Sequence, residues 1–190
     1  MSPAETPSVP STARAAAPVV LVLLGTDHHP FRRLVEWSDA WGAEHGGARV
    51  VVQHGRTTGP ERVEGRPLVP HAELQDLLQA ATVVVSHGGP ATIMEARRAG
   101  RTPVVVPRDP TRGEHVDSHQ QLFSRRMARE GTVLLCEDVD DLGALVDHLL
   151  AHPGEGVADA DGDVERSAMT ARRIRAVLED VVARAGRARR

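Results

Sequence analysis

The chain has 190 residues, 41% hydrophobic and 26% charged, enough for one domain with a substantial core and too few for two large ones. A net charge of −3 argues against a nucleic-acid partner held by electrostatics. The longest apolar run, Val19–Leu24, falls far short of the roughly 20 residues of a membrane helix, and the lone Cys136 rules out an internal disulfide and fits a reducing cytoplasm.

Residues 1–18 are rich in Pro, Ala, Ser and Thr, have no apolar signal core, and read as a disordered leader. Residues 19–152 then alternate between two patterns. The strand-like runs are Val19–Leu24, Arg49–Gln53, Thr82–Ser86, Pro103–Val106 and Val133–Cys136. They are continuous and valine-rich, not alternating, as expected of parallel strands covered on both faces. Helical stretches follow: Pro30–His45, stopped by Gly46–Gly47; His71–Ala81; Ala91–Ala99, closed by Gly100; Ser118–Glu130, closed by Gly131; and Asp140–Ala151, ended before Pro153. Strands alternating with helices give an α/β fold with a doubly wound parallel sheet and right-handed crossovers. Residues 153–165 read as a linker, and residues 166–190 as a terminal helix with an arginine-rich tail. All 23 basic residues are arginine, so arginine abundance is a compositional habit and no signature of phosphate binding.

Ligands of an open parallel sheet sit beyond the carboxyl ends of its strands. There the chain places "GTDHHPF", "SHGGPAT" and "PRDPTRGEHVDSHQ", three polar, glycine-bearing loops on one edge. Gly88 and Gly89 let a ligand approach the main chain, and Pro90 suits a first helical turn. The free N–H groups and positive dipole end that follow suit an anion such as a diphosphate. Thr92 adds a hydroxyl, and Glu95, a turn later, has the acceptors for ribose hydroxyls. A helix dipole contributes about 0.3–1 kcal/mol, whereas micromolar binding requires about −8 kcal/mol, so further contacts must converge. Gly25 and Thr26 offer a second backbone patch, and the His119–Gln120 region a third.

The stretches "LLGTDHHPFRRLV", "VVVSHGGPATIMEARRAGRTPVVVPR" and "GEHVDSHQQLFS", in this order within residues 19–150, resemble the donor-binding C-terminal domain of glycosyltransferase family 28. The similarity is strongest to split members of that family, whose domain is a separate polypeptide. These are the catalytic subunit of the two-part N-acetylglucosamine transferase of dolichol-linked glycan synthesis, and the small subunit of paired exopolysaccharide and capsule transferases. The resemblance implies the Rossmann-like half of a GT-B enzyme. It implies Gly25 and Thr26 near the phosphates, and His87, Gly88, Gly89 and Thr92 as the pyrophosphate turn. Glu95 would hold the ribose, residues 106–108 the uracil, and His119 and Gln120 the sugar hydroxyls; Arg108 and Glu114 fit the loop pattern. The chain departs from the family at Asp27, His28 and His29, where Thr or Ser is common. An aspartate beside a diphosphate must turn away or cap the following helix.

The reaction so implied transfers a hexose from a UDP-sugar, with inversion, to a lipid-linked saccharide. No metal or cofactor is expected, because main-chain amides would stabilise the departing UDP. A single GT-B half leaves a shallow shelf, so a membrane-anchored partner carrying the acceptor wall is expected, with the chain peripheral at the cytoplasmic face. The general base belongs near the acceptor hydroxyl; His28 and His29 are the local candidates. The alternative in another class is a noncatalytic nucleotide-sugar-binding subunit that stabilises its partner. A nucleotide-sugar epimerase on the same fold would need both halves in one chain. His115 and His119 have helical spacing for a metal but lack a third ligand, and "DADGD" at 159–163 lacks the glutamate of a calcium loop. Ser86 has no nucleophile elbow around it.

Overall fold

Val20, Val22 and Leu24 point to one side of the first strand and Leu21 and Leu23 to the other, and all five are buried. A strand buried on both faces belongs inside a sheet covered by helices. The computed structural model describes residues 17–158 together with Arg172 and Ala176, and there the strand is β1 (Val19–Leu23). Residues 1–16 of the expected leader, residues 159–165 of the expected linker, and the expected terminal helix and tail apart from Arg172 and Ala176 lie outside the described residues. The remaining strands are β2 (Arg49–Gln53), β3 (Glu64–Arg66), β4 (Val83–Ser86), β5 (Val104–Val105) and β6 (Leu134–Leu135). All pair in parallel in the order β3-β2-β1-β4-β5-β6.

Within residues 17–158 the α-helices are α1 (Arg32–Glu44), α2 (His71–Ala80), α3 (Pro90–Arg98), α4 (His119–Arg129) and α5 (Leu142–Ala151). Leu34, Val35 and Trp41 of α1 and Leu145, Val146 and Leu149 of α5 join one core with Val20, Val22 and Val52. Leu77 and Leu78 of α2 and Ala96 of α3 pack with Leu21, Leu23 and Val84 on the other face. A third cluster joins Ile93 of α3 to Val105, Val133 and the α4 side chains Phe123 and Met127. Of these five helices two cover one face and three the other, the doubly wound arrangement expected from the sequence.

One strand has no counterpart in the sequence reading. β3 is Glu-Gly-Arg at the sheet edge, with none of the apolar character that marked its neighbours. Its register comes from β2, where Val51 pairs with Glu64 and Gln53 with Arg66. The start of the expected linker is docked. Pro153–Gly156 forms a 3-10 turn, and Val157 bridges antiparallel to Arg101.

Candidate functional site

The strand order reverses between β1 and β4, and such a reversal opens a crevice beyond the strand ends. The loops after β1 and β4 face each other there. Gly25 takes φ +75°, and its main chain is closed by one side chain. Its N–H donates to Gln53 Oε1 at 3.0 Å, while Gln53 Nε2 donates to Gly25 O at 3.0 Å and Pro67 O at 3.2 Å. The Gly25 amide is thus spent on Gln53 and is no donor to a phosphate. Gln53 was legible only as the polar end of a valine run.

His87 fills the gap between the two loops. A Cβ on Gly25 would lie 2.6 Å from its ring, and a Cβ on Gly89 would also collide with it. Both glycines therefore leave room for an imidazole. His87 Nδ1 lies 3.2 Å from Leu23 O; a carbonyl only accepts, so Nδ1 carries the proton and Nε2 the free pair. Burial, aided by the charge of Arg108, pushes this imidazole down to about 4. Below pH 6.5 the unfolded chain gains a proton that the folded chain refuses until about pH 4. Stability should fall through that window as pH drops, by on the order of 3 kcal/mol. His87→Asn keeps an N–H at the Nδ1 position for Leu23 O and does not titrate. Urea midpoints at pH 7 and pH 4.5 should differ clearly less in that variant than in the wild type.

Gly88 serves a different contact. It has φ +90°, its N–H donates to Ser86 Oγ at 3.2 Å, and a Cβ there would lie 2.8 Å from Ser124 Oγ on α4. Gly89 is the N-cap of α3, no side chain caps that helix, and Pro90 occupies its first turn. Ile93 N–H returns to Gly89 O at 3.1 Å, but no protein acceptor among the described residues meets the N–H groups of Gly89, Ala91 or Thr92. These amides border a cavity of about 310 Å³ lined by Gly25, Thr26, His87, Gly89 and Thr92, with Leu68, Val69 and Leu74 as an apolar wall. Nothing in the sequence marked that wall, which comes from the segment between β3 and α2 (Leu68, Val69) and from the first turn of α2 (Leu74).

The other candidates separate from this group. Glu95 stands a turn further along α3, with Oε1 3.7 Å from His71 Nδ1. Arg108 is 1% exposed and donates to His29 O at 2.7 Å, Glu114 O at 3.1 Å and Leu24 O at 2.8 Å, its guanidinium over the Phe31 ring. Glu114, also buried, accepts from Arg33 at 2.8 and 3.1 Å and from Asp109 N–H at 2.8 Å. Both side chains tie loops together and present no group to the cavity. The backbone expected near uracil is engaged too: Val106 N–H bonds Ser86 O, and Pro107 O accepts from Arg33. His119 is exposed, with Nδ1 2.9 Å from Asp117 Oδ2. Gln120 shares a face of α4 with Ser124, one turn on; Gln120 Oε1 and Ser124 Oγ are both buried and without hydrogen-bond partners.

His28 and His29 gather on Asp27. His29 Nδ1 lies 2.8 Å from Asp27 Oδ1, His28 Nδ1 3.5 Å from the same oxygen, and His115 Nε2 3.6 Å from Asp27 Oδ2. Burial alone would raise the Asp27 carboxyl, but bonds from the His29 amide and ring and the charge of Arg108 hold it down at about 2. Asp27 turns from the crevice toward its own loop, as an Asx turn with His29 N–H at 2.8 Å.

A six-stranded parallel sheet with its crevice at the β1/β4 reversal is the C-terminal domain fold of GT-B glycosyltransferases. Residues 19–172 match the glycosyltransferase family 28 C-terminal domain, and the chain belongs to that family. Among solved structures, the glycotransferase of kitacinnamycin is 24% identical at TM-score 0.59, over 93% of this chain and 43% of its own. The spinosyn forosaminyltransferase SpnP is 21% identical at TM-score 0.53, over 98% and 48%. The glycosyltransferase VinC, in complex with dTDP, is 21% identical at TM-score 0.51, over 95% and 44%. The chain spans less than half the length of each. No curated protein sequence matches. Among the described residues no helix is long and apolar enough to cross a membrane.

Proposed function

We propose that this chain is the donor-binding part of a glycosyltransferase that moves a sugar from a UDP-sugar to a lipid-linked saccharide in polysaccharide synthesis. The observation that carries the reading is the set of unspent amides at the start of α3, opening with Thr92 onto a cavity at the β1/β4 reversal. Breaking the glycosidic bond puts negative charge on the departing diphosphate, and fixed amide dipoles stabilise that charge without reorganising. His87 Nε2 carries no proton, so it repels an approaching phosphate oxygen and leaves the amides and the Thr92 hydroxyl as the donors. Inversion needs a base on the acceptor side; His28 or His29 is the local group for it. No cofactor enters this scheme. The shared fold spans less than half of the solved enzymes, so the acceptor wall must come from outside this domain; the source proposed here is a membrane-anchored partner that keeps this chain at the cytoplasmic face.

Titration calorimetry with UDP tests this, with dTDP alongside because VinC is solved with that nucleotide. Ala91 is exposed in the first turn of α3. Ala91→Asp places a carboxylate where the diphosphate would sit, and a carboxylate there favours the helix by about 0.3–1 kcal/mol. The expected result is UDP binding weaker by more than about 100-fold with an unchanged or raised Tm. Unaltered UDP affinity in that variant would remove the reading. Thr92→Val should weaken binding about 10-fold.

A further inference from the structure

Three imidazoles face a single carboxylate beside the cavity, from two loops far apart in sequence. Asp27, His28 and His29 follow β1, and their candidate donor atoms all lie within 4.8 Å of one another. His115, from the loop before α4, brings Nε2 to 3.6 Å from Asp27 Oδ2. We propose that Asp27, His28, His29 and His115 bind a divalent transition-metal cation of the zinc type.

The spacing of Asp27, His28 and His29, whose donor atoms form one group, suits such an ion, and His115, close to Asp27 alone, must swing in to complete it. Bonds of about 2.0–2.1 Å in tetrahedral geometry set ligand atoms about 3.3 Å apart. The imidazole nitrogens here stand 2.8, 3.5 and 3.6 Å from the carboxylate oxygens of Asp27. Three nitrogens and one oxygen select zinc, cobalt or nickel over magnesium or calcium, which prefer all-oxygen shells. Access is open: the His28 side chain is 74% exposed, and those of His29 and His115 are each about one-fifth exposed.

An outer carboxylate completes the arrangement. Asp117 Oδ1 lies 3.5 Å from His115 Nδ1. A ligating imidazole commonly gives its second N–H to a carboxylate, which fixes the tautomer and strengthens the ligand. In the metal-free chain the Asp117 N–H donates to His115 Nδ1 at 3.3 Å, so binding through Nε2 requires the proton to pass to Nδ1, facing Asp117 Oδ1. The pair singled out by helical spacing in the sequence does not form the site: His119 turns to solvent, and His115 turns to Asp27. The alternative use of the cluster is the carboxylate–imidazole base proposed above; an imidazole that holds a cation has no free pair for that role, so with a metal bound the base lies on the acceptor side. One imidazole suffices for that, whereas here three share the carboxylate. Thr26, which lines the cavity, adjoins Asp27, so a cation here adds positive charge at the rim of the anion site.

The test is calorimetric titration of the chelator-treated full chain with Zn²⁺, and with Co²⁺ as an optical probe, without nucleotide. One ion per chain is expected, bound more tightly at pH 7.5 than at pH 5.5 because ligating imidazoles must be unprotonated. His29→Ala and His115→Ala should each weaken binding by more than about 100-fold and Asp117→Asn by about 10-fold. His152→Ala, just past the end of α5, should change nothing. Far-ultraviolet circular dichroism confirms that the variants fold. Absence of stoichiometric binding, or equal affinity in His29→Ala and wild type, overturns the site. Loss of sugar transfer in His29→Ala without any metal binding overturns it too, and assigns the cluster to proton transfer. Because no nucleotide is present, either failure leaves the UDP result untouched.

Discussion

Arg108→Met should cost about 3–5 kcal/mol of folding stability, the largest single loss expected among the polar residues of this domain. The guanidinium is 1% exposed and gives its terminal N–H groups to the carbonyls of Leu24, His29 and Glu114. Those carbonyls belong to the loop after β1 and the loop before α4, so one side chain fastens both to the end of β5. Burial pushes its pKa down, while Asp27 and Glu114 oppose that and keep the charge in place. Methionine fills similar volume but donates nothing, and each buried carbonyl left without a donor costs about 1–3 kcal/mol. Arg108→Lys retains the charge with a shorter, unforked donor set and should fall between the two. Urea unfolding is the measurement, with the midpoint expected to fall at constant m. If Arg108 instead contacted a ligand from a stable scaffold, the midpoint would hold while UDP affinity fell.

The same residue shows where the sequence was and was not legible. The doubly wound sheet could be read because each inner strand is covered on both faces and so appears as an uninterrupted valine run, such as Val83–Val85 or Val50–Val52. β3 could not, because an edge strand of Glu64, Gly65 and Arg66 buries little and takes its register from its neighbour. At the strand ends, the sequence located the polar loops without giving the direction of any side chain. Arg108 and Glu114 look like ligand groups when read linearly, since a charged residue after a buried strand has either a ligand or an internal partner. Only the packing shows that the partners are Leu24, His29 and Arg33. The reverse holds for Asp27. As one residue of a loop it reads as a nuisance beside a diphosphate, and its meaning emerges once His115 arrives from 88 residues away. Glycine is ambiguous for the same reason. A missing Cβ serves a ligand or a neighbour equally well, and in this crevice Gly25 and Gly89 both yield to His87.

That ambiguity can be resolved by measurement, because the two glycines differ in backbone. Gly25→Ala should cost about 2–4 kcal/mol, from two sources. One is its left-handed φ of +75°, and the other is a Cβ 2.6 Å from the His87 ring. Gly89 has an ordinary φ of −67°, so Gly89→Ala carries only the collision with the imidazole, about 1–3 kcal/mol. Removing the ring separates the terms. In a His87→Ala background, Gly89→Ala should become nearly neutral, while Gly25→Ala should retain about 1 kcal/mol of backbone strain. The coupling energy between residues 87 and 89, read from a double-mutant cycle in urea, should therefore exceed about 1 kcal/mol. A cycle that closes with no coupling would mean the imidazole moves aside freely, and the glycines would then be kept for a ligand alone. With strong coupling, His87 is the wall that fixes the width of the crevice. UDP affinity in the doubly substituted His87→Ala, Gly89→Ala chain then reports whether the α3 amides still hold a diphosphate once that wall is gone.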